Sequence, residues 1–334
     1  MKKLFLAFII LSTLGFAVGF YYYQQYQQFL DQPVFKNDTI LTITKGQNFT
    51  QFSQNIRQQE GNGKAWQWRV FARLQKVGTW LKVGEFNISA QDKPLQMMQK
   101  IKNNQVIAYH FTIIEGQNWR ELKDKLTNAK HLKHEIIDFN DEQLLAFLAS
   151  NQTSLEGLFL PETYQFIRGD SDLALLKRAH LALKNVLNEQ WANKADNLPY
   201  KTAYELLTMA SIVEKETSLG NEREQIAGVF VRRLQKNMRL QTDPTVIYGL
   251  GENYDGDIKN KDLTTDTPYN TYTRHGLPPT PIAMCSADSI AASAHPAKGT
   301  ALFFVANNRG GHFFSDTYQQ HQQAVKAYLK GKKL

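Results

Sequence analysis

Apolar and polar positions follow several distinct rhythms along the chain. Residues 4–23 form an uncharged, mostly apolar run of about twenty, the length of a bilayer-crossing helix, preceded by Lys2 and Lys3 and followed by no charge until Asp31. The lysines predict an N-terminus kept in the cytoplasm, with the bulk of the chain outside, and Tyr21, Tyr22 and Tyr23 fall where an interfacial aromatic belt belongs. Ala17-Val18-Gly19 has the small-x-small form of a signal-peptide cleavage site. The apolar run continues past it, which favours an uncut anchor. Residues 24–36 are mostly polar and read as a stalk.

The next rhythm repeats. Thr-Ile-Thr-Lys-Gly-Gln-Asn-Phe begins at Thr42, and Thr-Ile-Ile-Glu-Gly-Gln-Asn-Trp begins at Thr112. Each copy predicts a strand, a glycine turn and an amphipathic helix, with Phe49, Phe52 and Ile56 on one helix face and Trp119, Leu122 and Leu126 on the other. Two copies are too few for a solenoid. The first copy, with Trp66 and Trp68 downstream, resembles a LysM-type module, a small glycan-binding fold.

Residues 127–150 have a polar, helical pattern, and 154–166 an apolar, loop-like one around Pro161. A long amphipathic helix follows, capped by Ser171 or Asp172. Further helices are predicted over 205–218, 221–237 and 287–296. The end reads as a hairpin over 301–317 closed by a helix. Helices and strands mix without regular βαβ alternation, so the fold class is α+β. The expected division is residues 1–30 as anchor and stalk start, 31–108 as a LysM-like module, and 109–334 as a larger α+β catalytic domain.

A net charge of +8 over 334 residues allows a nucleic-acid, membrane-surface or anionic-polymer partner. An extracytoplasmic address removes nucleic acid, and a single cysteine, Cys285, excludes an internal disulfide framework. His275, His295 and His312 lack metal-ligand spacing, so no metal is expected.

The segment Glu205–Ser218 runs apolar and then ends in Glu214-Lys215-Glu216. On a helical wheel Ala203, Leu207 and Ala210 share the face of Glu214, while Met209 and Ile212 fall nearer Glu216. A carboxyl against apolar groups holds its proton more tightly, as a general acid requires. Glu216 is expected to meet solvent or Arg223. The wheel by itself leaves Glu214 open between a structural and a catalytic role.

The ordered set Ala-Ser-Ile-Val-Glu-Lys-Glu (210–216), Met-Arg-Leu-Gln-Thr-Asp-Pro-Thr-Val-Ile-Tyr-Gly (238–249), Pro-Tyr-Asn-Thr-Tyr (268–272), Gly-Leu-Pro-Pro (276–279) and His295-Pro296 resembles the YceG/MltG family of endolytic murein transglycosylases. The resemblance spans nearly the whole chain. It implies an inner-membrane, single-pass lyase with its catalytic part periplasmic, cutting peptidoglycan strands internally, and no cofactor. The implied partners are glycan strands, the cytoplasmic membrane and the peptidoglycan synthesis machinery. The first glutamate of the motif, Glu214, is the implied catalytic acid/base, with Glu216 supporting. Gln241, Thr242, Asp243, Tyr248, Asn270 and Tyr272 are expected to bind sugar, Asp243 also steadying positive charge. Two departures stand out: Glu162 where the family has Asp, and Cys285-Ser286 where it typically has Pro-Gly.

A single carboxyl suffices for such a lyase. It protonates the oxygen leaving the MurNAc carbon, and the sugar's own 6-hydroxyl attacks while the same carboxylate takes its proton, giving a 1,6-anhydro end. The intramolecular nucleophile exploits proximity. The competing readings are a lysozyme-type hydrolase, a non-catalytic glycan-binding scaffold and a pyridoxal-phosphate lyase. The last is disfavoured by the extracytoplasmic address and the absence of a distinct cofactor-lysine context.

Overall fold

The computed structural model of the chain describes residues 2–331. Residue 1 of the expected anchor and residues 332–334 of the expected catalytic domain lie outside the described residues. The chain divides into two compact units, one comprising residues 1–109, 131–133 and 165–170, the other 110–130, 134–164 and 171–334.

In the first unit α1 (Lys2–Asp31) is one uninterrupted helix, long and apolar enough to cross a membrane. Then come β1 (Thr39–Ile43), α2 (Phe49–Gln58), α3 (Ala65–Gln75), β2 (Gly84–Ile88), α4 (Pro94–Lys102) and the start of β3 (Ala108–Thr112). β1 and β2 pair antiparallel with Leu41 opposite Phe86. That pair covers a core of Phe52, Ile56, Trp68, Phe71, Met97 and Met98.

The expected stalk is not one. Tyr26, Phe29, Val34 and Phe35 are buried in this core, and residues 24–31 continue α1. Tyr26 and Phe29 stand three apart among glutamines, so one turn of the helix presents both to the core.

The second unit holds α5 (Trp119–Thr127), α6 (Asp141–Phe147), α7 (Asp172–Asn193), α8 (Ala203–Glu216), α9 (Arg223–Gln235), α10 (Asp243–Leu250), α11 (Asn260–Thr264), α12 (Ala287–Ala294) and α13 (Tyr318–Leu329). Its strands include β5 (Phe303–Ala306) and β6 (His312–Ser315), the expected hairpin, with Phe304 opposite Phe314 and α13 packed on it. Between α6 and α7 the chain forms β4 (Thr163–Ile167), which pairs with β3. The helix expected over 127–150 is only α6 and a single tight turn at Ile136–Asp138. His131, at φ +71°, has left-handed backbone that an α-helix cannot continue through.

The repeated Gly-Gln-Asn performs the same work twice. Gly46 and Gly116 take φ values of +80° and +74°, which glycine adopts without a Cβ clash. Gln47 Oε1 accepts from the Thr44 N–H, and Gln117 Oε1 from the Ile114 N–H, both at 3.0 Å. Asn48 caps α2 by accepting from Gln51 N, and Asn118 caps α5 by accepting from Glu121 N, with Gln51 and Glu121 bonding back to the cap N–H.

The second unit is organised around α8. Every residue from Leu206 to Val213 is buried, and α7, α9, α10 and α12 all pack on it. Thr202 starts it by accepting from Glu205 N at 3.2 Å. Its last turn carries Glu214 and Glu216, both part-buried.

Candidate active site

Ser211 of α8 accepts the Ile282 N–H at 3.0 Å, and this tie holds the loop leading to α12 against the helix. One turn on, Glu214 meets the start of α12. Its Oε2 accepts both the Ser286 N–H at 2.9 Å and the Ser286 hydroxyl at 2.5 Å. Its Oε1 lies 3.6 Å from the Arg223 guanidinium, which also faces Glu115 and Asp288. Glu214 is therefore not lodged against a bare apolar wall. The Ser286 departure supplies it with a hydroxyl, and the basic partner expected for Glu216 belongs to Glu214. Cys285, beside this loop, is fully buried, and burial pushes its thiol up.

Glu216 points elsewhere. Its Oε1 accepts a short hydrogen bond from the Thr242 hydroxyl. Burial chiefly, reinforced by the negative charge of Asp243, pushes its carboxyl up to about 7, against the opposing pull of the Thr242 bond, His312 and Arg233. Asp243 Oδ1 accepts the Tyr272 hydroxyl at 2.6 Å. The turn that presents these groups is built by Gln241, at φ +50°, whose N–H donates to Thr271 O, and by Thr242, whose N–H donates to Thr271 Oγ1 at 3.1 Å.

Two cavities meet at this carboxyl. One, of about 370 Å³, is lined by Glu216, Arg233, Gln241, Thr242, Asp243 and Tyr272, with Phe303 and Tyr318 on a further wall. The other, of about 330 Å³, is lined by Glu115, Glu214, Glu216 and Arg223 among others. Glu216 borders both; Glu214 borders only the second.

Gln241, Thr242, Asp243 and Tyr272 thus converge as the sequence suggested, but around Glu216. Asn270 lines neither of these two cavities and is 1% exposed. Its amide nitrogen donates to the carbonyls of Asp262, Leu263 and Thr265, and its oxygen accepts the Tyr272 N–H at 2.9 Å, so it braces the loop. Tyr248 lines neither cavity. Its hydroxyl bonds Glu156, and its ring meets Tyr269 edge-on at 4.8 Å.

Glu156 went unnoticed in the sequence, although a lone carboxyl in the apolar stretch Leu155–Leu160 was the available signal. It is 3% exposed, and both its oxygens accept the Trp119 N–H at the start of α5. Burial pushes it up to about 7 from an ordinary 4.5. The folded value lies above the unfolded one, so the folded state holds this proton more tightly. The associated stability is complete below 4.5 and is lost as pH rises through 7. Relative to Glu156→Gln, the wild type should lose up to about 3 kcal/mol between roughly pH 5 and pH 8. Paired urea titrations across that range check it; parallel pH profiles for the two proteins would refute the assignment.

The YceG-like family model matches residues 41–327. The chain belongs to the YceG-like family. It is 33% identical over 246 residues to an endolytic murein transglycosylase of Bacillus subtilis, covering 67% of this chain and 66% of that protein. It is also 33% identical over 184 residues to an endolytic murein transglycosylase of Streptococcus pneumoniae strain D39, covering 53% of this chain and 33% of that one. The chain therefore spans just under two thirds of the first relative and one third of the second. A crystal structure of a putative YceG-like protein from Listeria monocytogenes aligns with a TM-score of 0.51 at 27% identity, over 86% of this chain and 99% of that one. The mixed helix–strand architecture described above is thus the YceG-like fold.

Proposed function

We propose that this YceG-like protein is an endolytic peptidoglycan lytic transglycosylase that cleaves MurNAc–GlcNAc bonds within strands and leaves 1,6-anhydro-MurNAc ends. Family membership and the relatives' names support the reaction class. The observation that carries the mechanism is Glu216, a carboxyl raised to about 7 at the junction of two cavities and bonded to Thr242. The sequence motif implied Glu214 for the proton transfer. We assign it to Glu216 because that carboxyl borders both cavities, whereas Glu214 borders one and holds two donors of Ser286 with Arg223 3.6 Å away.

The steps follow from that arrangement. Protonated Glu216 donates to the glycosidic oxygen as the bond breaks. Asp243, held by Tyr272, faces the oxocarbenium-like centre with negative charge. The Thr242 hydroxyl stabilises the glutamate once it is anionic. Glu216 then takes the proton of the sugar's 6-hydroxyl as that oxygen closes the anhydro ring, and no water is consumed. Gln241 and Tyr272 offer hydrogen bonds to sugar substituents.

The helix α1 serves as a single-pass anchor in the inner membrane, with the remainder periplasmic. The first unit acts as a LysM-like glycan-binding module, and catalysis resides in residues 109–334. Glycan strands are the substrate, and the peptidoglycan synthesis machinery is the partner class consistent with internal cutting of new strands.

Mass spectrometry of muropeptides released from sacculi by the detergent-solubilised full chain tests this. Anhydro-MurNAc products are expected. Reducing ends in their place would establish a lysozyme-type hydrolase, and binding without release would establish a scaffold.

A further inference from the structure

Helix α1 shows no break between its apolar run and the first unit's fold. Leu4 to Tyr23 is twenty residues, about 30 Å of helix, which matches the hydrocarbon thickness of a bilayer. The large apolar side chains of that stretch, Leu4 through Tyr23, face outward. On the next turn Tyr26 already enters the core, followed by Phe29, whose ring lies 4.9 Å from that of Trp68. No length of chain is left to act as a tether.

The first turn of α3 lies alongside this exit. The Trp66 ring meets Tyr22 edge-on at 5.3 Å. Gln67 Nε2 donates to the Gln25 carbonyl at 2.8 Å, and the Lys64 ammonium donates to Gln25 Oε1 at 3.0 Å. Tyr22 and Gln25 are about 4.5 Å apart along the helix axis. Tyr22 lies at the end of the apolar run, one residue before its last, where tyrosine and tryptophan rings favour the headgroup layer. Trp66 is half-buried and Lys64 exposed, so this turn presents an amphipathic ring and a cation at headgroup height.

We propose that the start of α3, its N-cap Lys64 together with Trp66, is a membrane-interface contact that seats the first unit directly on phospholipid headgroups, with Trp66 in the interfacial layer. The unit is then fixed at the bilayer surface and does not range outward on a flexible stalk. This inference rests on the proposed reading of α1 as a membrane anchor and is independent of the proposed chemistry.

The test uses the full chain reconstituted in vesicles of equal parts phosphatidylethanolamine and phosphatidylglycerol, doped with lipids brominated near the ester carbonyls or near the acyl-chain ends. Shallow bromines should quench wild-type emission by the share of one of the five tryptophans, and Trp66→Phe should lose that share. Equal quenching of the two proteins, or quenching by deep bromines alone, would overturn the proposal. A nitroxide on Lys64→Cys gives a reading that does not depend on the Trp66 variant, because Cys285 is buried and escapes labelling. Nickel chelated to lipid headgroups should relax it strongly; relaxation only by soluble nickel would refute the seating.

Discussion

Glu216→Gln should cut glycan strands about 10²–10⁴-fold more slowly, the usual share of general acid–base catalysis, and more where one group serves both half-reactions. Glutamine preserves the size of the side chain and can still accept from Thr242, but it carries no transferable proton. Folding and glycan binding should survive. The pH dependence has a definite sign. The free enzyme must hold the proton on Glu216, whose carboxyl is raised to about 7. The value of kcat/KM should therefore fall as pH rises through about 7, approaching tenfold per unit beyond it. Rates that stay level well above that point would mean that another group donates.

A large loss of stability is expected from Gly157→Ala. This glycine sits in the buried loop Leu155–Leu160 at φ +74°. A Cβ there would lie 2.5 Å from Pro281 Cβ and 2.9 Å from Pro281 Cγ, in the segment held to α8 by Ser211. Left-handed strain and overpacking together should cost about 2–4 kcal/mol. For a unit of this size that lowers Tm by roughly 5–15 °C. Gly276→Ala separates the two causes, since Gly276 has φ +86° with nothing within 4 Å of the added carbon. It should show the conformational part alone, roughly 1 kcal/mol. Equal drops for both variants in calorimetry would remove the steric part of the argument.

Much of the local structure was legible because it is encoded over a few residues. Gly-Gln-Asn announced its turn and cap twice, and the two runs around Asn307–Gly311 announced the hairpin, where Asn307 Oδ1 accepts from Arg309 N and Gly311 N. The stalk was misread, although Tyr26 and Phe29 already stood on one helical face. Polar composition outweighed that spacing.

The different surroundings of Glu214 and Glu216 were not legible for a different reason. A wheel discriminates only when a helix has a wet face, and α8 is buried on every side from Leu206 to Val213. What separates the two carboxyls arrives from far along the chain. Thr242 is 26 residues from Glu216, and Ser286 is 72 residues from Glu214. Asn270 shows the same limit. An amide in a polar loop reads as a ligand donor, and its place there does not reveal that its nitrogen meets three backbone carbonyls.

The central assignment is tested most directly by the rate of anhydro-muropeptide release from Glu214→Gln and Glu216→Gln side by side, with thermal melting to establish that both are folded. Glu216→Gln should be nearly inactive. Glu214→Gln should stay within roughly tenfold of wild type, the equivalent of about 1.4 kcal/mol in positioning, because its amide oxygen still accepts from Ser286. A folded Glu216→Gln protein that cuts normally while Glu214→Gln is inactive would return the proton to Glu214 and contradict the assignment.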